Sequence, residues 1–272
     1  MKIARTIAEV ERWSEGHGFV PTMGALHAGH RHLLRVARDA CERVTLSIFV
    51  NPLQFGPNED LSRYPRPIEA DLAMAEEVGV DQVFLPSVEE MYPSNPTRIH
   101  VPGITELWEG ASRPGHFDGV ATVVAKLFGI VGSQGAFFGQ KDLQQCLVVR
   151  KMVRDLSLPI DLVFVPTVRE EDGLARSSRN VYLDTSERAI APELHRVLID
   201  SVEAIRTGIS VETTLQVSRD RLVRNGFLPD YLAYVDAEDL QPLPEFRPDS
   251  ALIVAAKLGR TRLIDNILLE KA

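Results

Sequence analysis

The chain has only two cysteines, Cys41 and Cys146, and no C-x-x-C spacing. Such a scarcity excludes a disulfide framework and a zinc ribbon, and it fits a reducing cytoplasm. Basic charge is also in short supply: 30 Lys and Arg stand against 38 Asp and Glu, for a net charge of −8. That balance argues against a nucleic-acid-binding surface and against adhesion to an anionic membrane, while leaving room for local basic pockets. No apolar run has the ~20 residues needed to cross a bilayer; the run that begins at Gly119 is interrupted by Lys126. Residues 1–13 lack the apolar core of a signal peptide and read instead as an amphipathic helix with charges throughout. Internal repeats and low-complexity tracts are absent as well.

What is present suffices for a sizeable core in one large domain or two: 272 residues, 44% of them hydrophobic. The rest of the chain is organised around residues 19–32, FVPTMGALHAGHRH. Phe19 and Val20 predict a short strand broken by Pro21, Gly24 a tight turn, and the pattern from His30 a helix with Leu33, Leu34 and Ala37 on one face. A helix start of this kind offers backbone N–H groups and a positive dipole end to a phosphate. His27 and His30, three apart, fall on one side of the first turn, where two imidazoles could donate to a phosphate whose charge grows during attack at phosphorus. A metal-binding role is disfavoured because the zinc-protease pattern needs i, i+4 spacing with an intervening Glu, whereas Ala28 and Gly29 intervene here.

Further strands are predicted at 44–50, 81–86, 136–139 and 158–165, with helices over 67–78 and 116–131 and another opened by Gln140, Lys141 and Asp142. Ligands of parallel α/β sheets sit beyond the carboxyl ends of the strands, which places Asn51 and Gln54 to meet one after the second strand. Lys141 stands at another strand end, where its ammonium could neutralise a phosphate as a point charge. Arg176, Ser177, Ser178 and Arg179 put two guanidinium groups around two hydroxyls, a set suited to a pyrophosphate leaving group. A polar loop is expected from residue 56 to Arg66. Beyond a capping box at 184–187, the pattern turns to helices over 187–206 and 211–226, with Pro192 at a fresh helix start, and then to three strands at 231–235, 252–256 and 262–268. This change of pattern predicts a smaller second domain.

Seven motifs occur in one order: PTMGALHxGH, FVNPxQF, YPR, HFxGVxTVV, KDxQQ, PTVRE and SSRN. Together they closely resemble the pantothenate synthetase (pantoate–β-alanine ligase) family, and GRTRLIDN at 259–266 resembles its last strand region. The resemblance implies an α/β fold: a Rossmann-like, parallel-sheet nucleotidyltransferase domain over 1–176 and a smaller α+β C-terminal lid over 177–272. It also implies a homodimer acting on pantoate and β-alanine, with ATP as cosubstrate and Mg²⁺ beside it. Met23, Gly24, Ala25, Leu26, His27, Ala28, Gly29 and His30 would form the ATP loop, with His30 the proton donor and His27 on the phosphates. Gly139, Gln140, Lys141, Asp142, Val168, Arg176, Ser177, Ser178 and Arg179 would complete the nucleotide site. Gln54 and Gln145 would hold pantoate, Gln54 also lying near β-alanine, with Asn51, Tyr64, Arg113 and His116 as further substrate-binding candidates. His27, His30 and Lys141 are the expected catalytic residues.

Three positions depart from the family pattern. Gln140 replaces an acid beside Lys141, Arg176 stands where Met usually precedes the SSRN motif, and Ala70 precedes Asp71 where adjacent acids are usual. No residue is assigned as a metal ligand, since Mg²⁺ often binds through substrate phosphates and water. A related nucleotidyltransferase acting on a phosphate-bearing substrate would share both histidines; Gln54, Gln145 and the SSRN loop argue against it.

Overall fold

Strand-forming runs alternate with amphipathic helices up to residue 165, and in the computed structural model they form one sheet in which every pairing is parallel. Its strands are β1 (Lys2–Ala4), β2 (His17–Thr22), β3 (Arg43–Ile48), β4 (Gln82–Phe84), β5 (Gly135–Gly139) and β6 (Asp161–Val165), in the order β1-β4-β3-β2-β5-β6. The helices of this stretch are α1 (Ala28–Ala40), α2 (Ile68–Val78), α3 (Val88–Met91), α4 (Trp108–Ser112), α5 (His116–Val131) and α6 (Leu143–Asp155). The structure describes residues 1–57, 59 and 61–269; Asn58 and Asp60, in the expected polar loop, and 270–272 lie outside the described residues. Among the described residues no helix is long and apolar enough to cross a membrane.

The chain divides into two units. The first comprises Met1–Glu106, Arg113–Gln140 and Gln145–Pro166, and the second comprises Leu107–Ser112, Lys141–Gln144 and Thr167–Ala272. In the first, the face of α1 bearing Leu33, Leu34 and Ala37 is buried in a cluster with Val20, Leu46 and Val83 from the sheet. Each fully buried leucine of this kind contributes about 2 kcal/mol.

The strand order makes the boundary between β2 and β5 a topological switch point: from β2 the chain proceeds to β3 and β4 on one side, and later to β5 and β6 on the other. Pro21 does not break β2, as the sequence suggested, but pairs in register with Ser47 of β3. The reason lies in the side it faces. The carbonyl of His17 accepts from Gln134 and that of Thr22 from Phe49, so residues 17, 19 and 21 turn their polar groups toward β5, and 18, 20 and 22 toward β3. Pairing with β5 ends at Phe19 opposite Ala136, so the N–H that proline lacks falls where that ladder has already stopped. In open α/β sheets it is at the carboxyl ends of the strands beside such a switch point, here β2 and β5, that ligands bind.

The expected amphipathic helix at residues 1–13 is absent. Residues Lys2–Ala4 instead pair in parallel with Gln82–Phe84 as the edge strand β1, and Ile7–Glu9 form a single 3-10 turn. The helical spacing of Ile3, Ile7 and Val10 is real, but a vacant sheet edge overrides so weak a propensity.

The second unit holds the antiparallel sheet β7 (Phe227–Asp236), β8 (Ser250–Leu258) and β9 (Thr261–Leu269). It also contains α7 (Thr185–Ile190), α8 (Glu193–Arg206) and α9 (Val211–Arg224). The Asp184–Glu187 capping box forms, and Pro192 restarts the helix so that 187–206 is divided between α7 and α8. Leu194, Leu198 and Ile205 of α8 pack with Leu222 of α9 and with Tyr234, Leu252 and Val254 of the sheet.

Candidate active site

The loop between β2 and α1 is set by groups that the sequence keeps far apart. Thr22 Oγ1 accepts from the amide of Gly24 at 3.1 Å, while Asp71 of α2 accepts from Ala25 at 2.8 Å and from Leu26 at 2.7 Å. Asp71 is buried; burial pushes its carboxyl above the usual range against the pull of the two amides. Gly24 has φ +80°, and a Cβ there would lie 2.9 Å from an Asp71 oxygen and from Ile48 Cγ2. Ala25 follows at φ +51°, a conformation strained for alanine and held by the carboxylate.

The helix begins at Ala28, two residues earlier than its apolar pattern suggests, because His27 caps it. The Nδ1 of His27 accepts from Gly29 N at 3.1 Å, and the Nδ1 of His30 accepts from His27 N at 3.3 Å. The two rings lie with centroids 4.1 Å apart at 45°, as the i, i+3 spacing predicts. Since each Nδ1 is an acceptor, the neutral rings carry their protons on Nε2. The amides of Gly24, Ala25, Leu26, His27 and Gly29 are thus engaged within the protein. The open row of N–H groups expected from a bare helix start is therefore narrowed, and the imidazole Nε2–H groups become the donors of note.

A second group meets this loop. Asn51 caps the turn at Pro52–Gln54, accepting from Leu53 N at 3.2 Å and from Tyr92 Oη at 3.0 Å, and donating to Gly119 O at 3.0 Å and Gln54 Oε1 at 3.1 Å. All four hydrogen-bonding positions of its amide are therefore used by protein, which makes Asn51 the residue that orients Gln54. Burial pushes the Tyr92 phenol up to about 12, keeping it a donor. Gln54 Nε2 lies 3.1 Å from Met23 Sδ, so the two loops touch. His116 donates from Nδ1 to the Gln54 carbonyl at 2.8 Å, and its Nε2 accepts from Arg113 at 3.0 Å. Arg113 grips Glu59 in a fork at 2.8 and 2.6 Å. Burial raises the Glu59 carboxyl, but the Arg113 hydrogen bonds and charge prevail and hold it below the usual range. Tyr64 is buried edge-on to Phe55, its ring centroid 6.0 Å away. Gly139 ends β5 beside the switch point, Gln140 follows it, and Gln145 is half-buried on the first turn of α6.

The other candidates lie in the second unit. Lys141 Nζ stands 3.4 Å from Asp142 Oδ1, and its carbonyl accepts from Asn266. Val168 and Arg176 are joined by the bond from Arg176 N to Val168 O at 3.0 Å, and the Arg176 side chain pairs with Glu170 at 2.8 Å, which offsets the charge it adds. Ser177 Oγ accepts from Arg179 N at 3.2 Å, leaving its O–H as a donor beside Ser178. Among the described residues, no group of three or more His, Cys, Asp or Glu could hold a metal ion. The two acceptor oxygens of Asp71 are also taken by amides, so the acid left beside Ala70 is a loop anchor rather than a ready metal ligand.

The sequence showed Asp71 only as the acid beside Ala70, not as the anchor of a distant loop, and gave Glu59 no role. Asp71 did leave one signal: it falls in the apolar stripe of α2 between Ile68, Leu72 and Ala75, and a carboxylate on a core-facing stripe calls for a partner.

A family model described as pantoate-beta-alanine ligase matches residues 2–268. A pantothenate synthetase of Thermus thermophilus is 53% identical over 272 residues, covering 98% of this chain and 99% of that protein. A crystal structure of pantothenate synthetase from the same organism superposes with a TM-score of 0.95 at 51% identity, over 100% of both chains. A pantoate-beta-alanine ligase of Francisella tularensis, solved in complex with beta-gamma ATP and beta-alanine, has a TM-score of 0.84 at 33% identity, over 100% of this chain and 99% of that one.

Proposed function

Since the chain belongs to the pantoate–β-alanine ligase family, we propose that it condenses (R)-pantoate with β-alanine at the expense of ATP, giving pantothenate, AMP and pyrophosphate through a pantoyl adenylate. The observation that carries this reading is the family match across residues 2–268. In the first step the pantoate carboxylate attacks the α-phosphorus and the bond to pyrophosphate breaks. In the second the β-alanine amine attacks the acyl carbon, the C–N bond forms and AMP leaves. Adenylation replaces an unreactive carboxylate with a good leaving group.

In this proposal the Nε2–H groups of His27 and His30 donate to the phosphate where charge develops, and Lys141 neutralises it. Donors fixed in advance act mainly by orientation and charge stabilisation. The acceptor role of Nδ1, toward Gly29 N in His27 and toward His27 N in His30, supports this reading because it puts the proton of each neutral ring on Nε2. Met23, Gly24, Ala25, Leu26, Ala28 and Gly29, with Gly139, Gln140, Asp142, Val168, Arg176, Ser177, Ser178 and Arg179, would cradle the nucleotide. Gln54 and Gln145 would hold pantoate, with Gln54 oriented by Asn51 and with Tyr64, Arg113 and His116 behind it. Magnesium would arrive on the ATP phosphates, since the described residues supply no acidic cage of their own. A cytoplasmic homodimer, with a catalytic part over 1–176 and a lid over 177–272, belongs to the same proposal.

The test is incubation with ATP, magnesium, pantoate and β-alanine. Pyrophosphate release is expected with pantoate alone, and AMP with both substrates. Appearance of ADP, or ATP cleavage triggered by β-alanine alone, would overturn the acyl-adenylate route.

A further inference from the structure

The motif at 259–266 ends in two residues that have so far been given no role, Asp265 and Asn266 on β9. Successive side chains of a strand point to opposite faces, so these neighbours can reach two different segments of the second unit. Asp265 is buried and takes the Arg169 guanidinium in a fork at 2.7 and 2.9 Å, while His195 Nδ1 stands 3.5 Å away. Burial pushes this carboxyl up, but His195 and Arg169 outweigh it and hold the group below the usual range. Arg169 donates in turn to the carbonyls of Gly173 at 3.1 Å and Asn266 at 3.3 Å. Its guanidinium thereby closes the turn whose ends meet at Arg169 opposite Ala175 and at Arg176 N to Val168 O. On the other face, Asn266 Nδ2 donates to the Lys141 carbonyl at 3.0 Å.

We propose that Asp265 and Asn266 are positioning residues for the nucleotide, acting through Arg169 on the segment that carries Val168 and Ser177, and through the Lys141 backbone on the catalytic ammonium. Neither touches substrate. The inference rests on the proposed nucleotide role of those segments. Its physical basis is that two stretches remote in sequence are fixed to one dipeptide, so their separation is set by a strand rather than by mobile loops. A small displacement of binding groups weakens orientation far more than it weakens folding.

The experiment compares Asn266→Leu, which removes the donor at similar volume, and Arg169→Lys, which keeps the charge but loses the fork, with the unaltered full chain. ATP affinity is titrated directly and the three KM values are measured. Each variant is expected to bind ATP about tenfold more weakly and to raise the KM for ATP in step, with KM for pantoate and β-alanine within twofold. A purely structural role would lower the melting temperature and the active fraction while leaving all affinities unchanged, and that result in a folded variant overturns the proposal. Should Asn266→Leu fail to fold, Arg169→Lys, altered in a loop, carries the same comparison. If the unaltered chain itself binds no ATP, the functional reading falls, an outcome distinct from equal binding by all three.

Discussion

At residue 71 a single carboxylate answers two successive loop amides, 46 and 45 positions away. Asparagine in its place fits the space but sets an Nδ2–H₂ group against one of the two N–H donors, and an unsatisfied buried amide costs about 1–3 kcal/mol. Asp71→Asn is therefore expected to release the strained Ala25 conformation and to slow adenylation about tenfold or more, with a modest fall in melting temperature. Single-turnover formation of pantoyl adenylate measures it, and an unchanged rate would show that the loop holds its shape without the carboxylate. Removal of a single donor to a developing oxyanion costs roughly 3 kcal/mol, or about a hundredfold, which sets the expectation for His30→Ala and for Lys141→Ala in the same assay. Unchanged adenylation in either variant would place that side chain outside the reaction.

Among the elements, α5 and the Pro52–Gln54 turn make the contact that bears most on the proposed substrate site. They approach so closely at Gly119 that any Cβ there would run into the Leu53 carbonyl. Overpacking against backbone cannot be relieved by rotating a side chain, so Gly119→Ala is expected to push the turn outward and carry Gln54 with it. The KM for pantoate should rise about tenfold, while the KM for ATP stays nearly constant; equal changes in both would point to general loosening. The HFxGV motif showed the glycine in the sequence but not what it touches. Element types for the parallel sheet were legible from β-branched runs and from the apolar face at Leu33, Leu34 and Ala37. The histidine pair was legible from spacing alone. The Asp71 anchor, the Glu59–Arg113–His116 chain and β1 were not, because each depends on partners distant in sequence, and a single sequence by itself records no contacts.

For the whole molecule, the acid limb of stability is set in part by His17 in β2. Its Nε2 lies 2.8 Å from Thr45 Oγ1, its Nδ1 is buried with no hydrogen-bond partner among the described residues, and burial drives its pKa down to about 4 against the pull of Asp81. The unfolded chain, with an ordinary histidine near 6.5, binds more protons than the native one between those values, so stability falls as pH drops from about 6.5 to 4. The slope from this one group approaches about 1.4 kcal/mol per pH unit. His17→Phe should flatten that limb, whatever its stability at neutral pH; denaturant unfolding at pH 7, 5.5 and 4.5 reads the difference, and an equal slope in both proteins would clear His17 of the effect. The second unit also draws on Leu107–Ser112 and Lys141–Gln144 as well as on the chain after Thr167. A gene recombined with that of a relative at codon 167 would therefore inherit a mixed unit: Glu109 would face a foreign Arg262, and the Lys141 carbonyl a foreign Asn266. Chimaeras crossed at that point should tolerate divergence poorly unless both short insertions travel with the C-terminal half, so the recombination block is three stretches of gene rather than one.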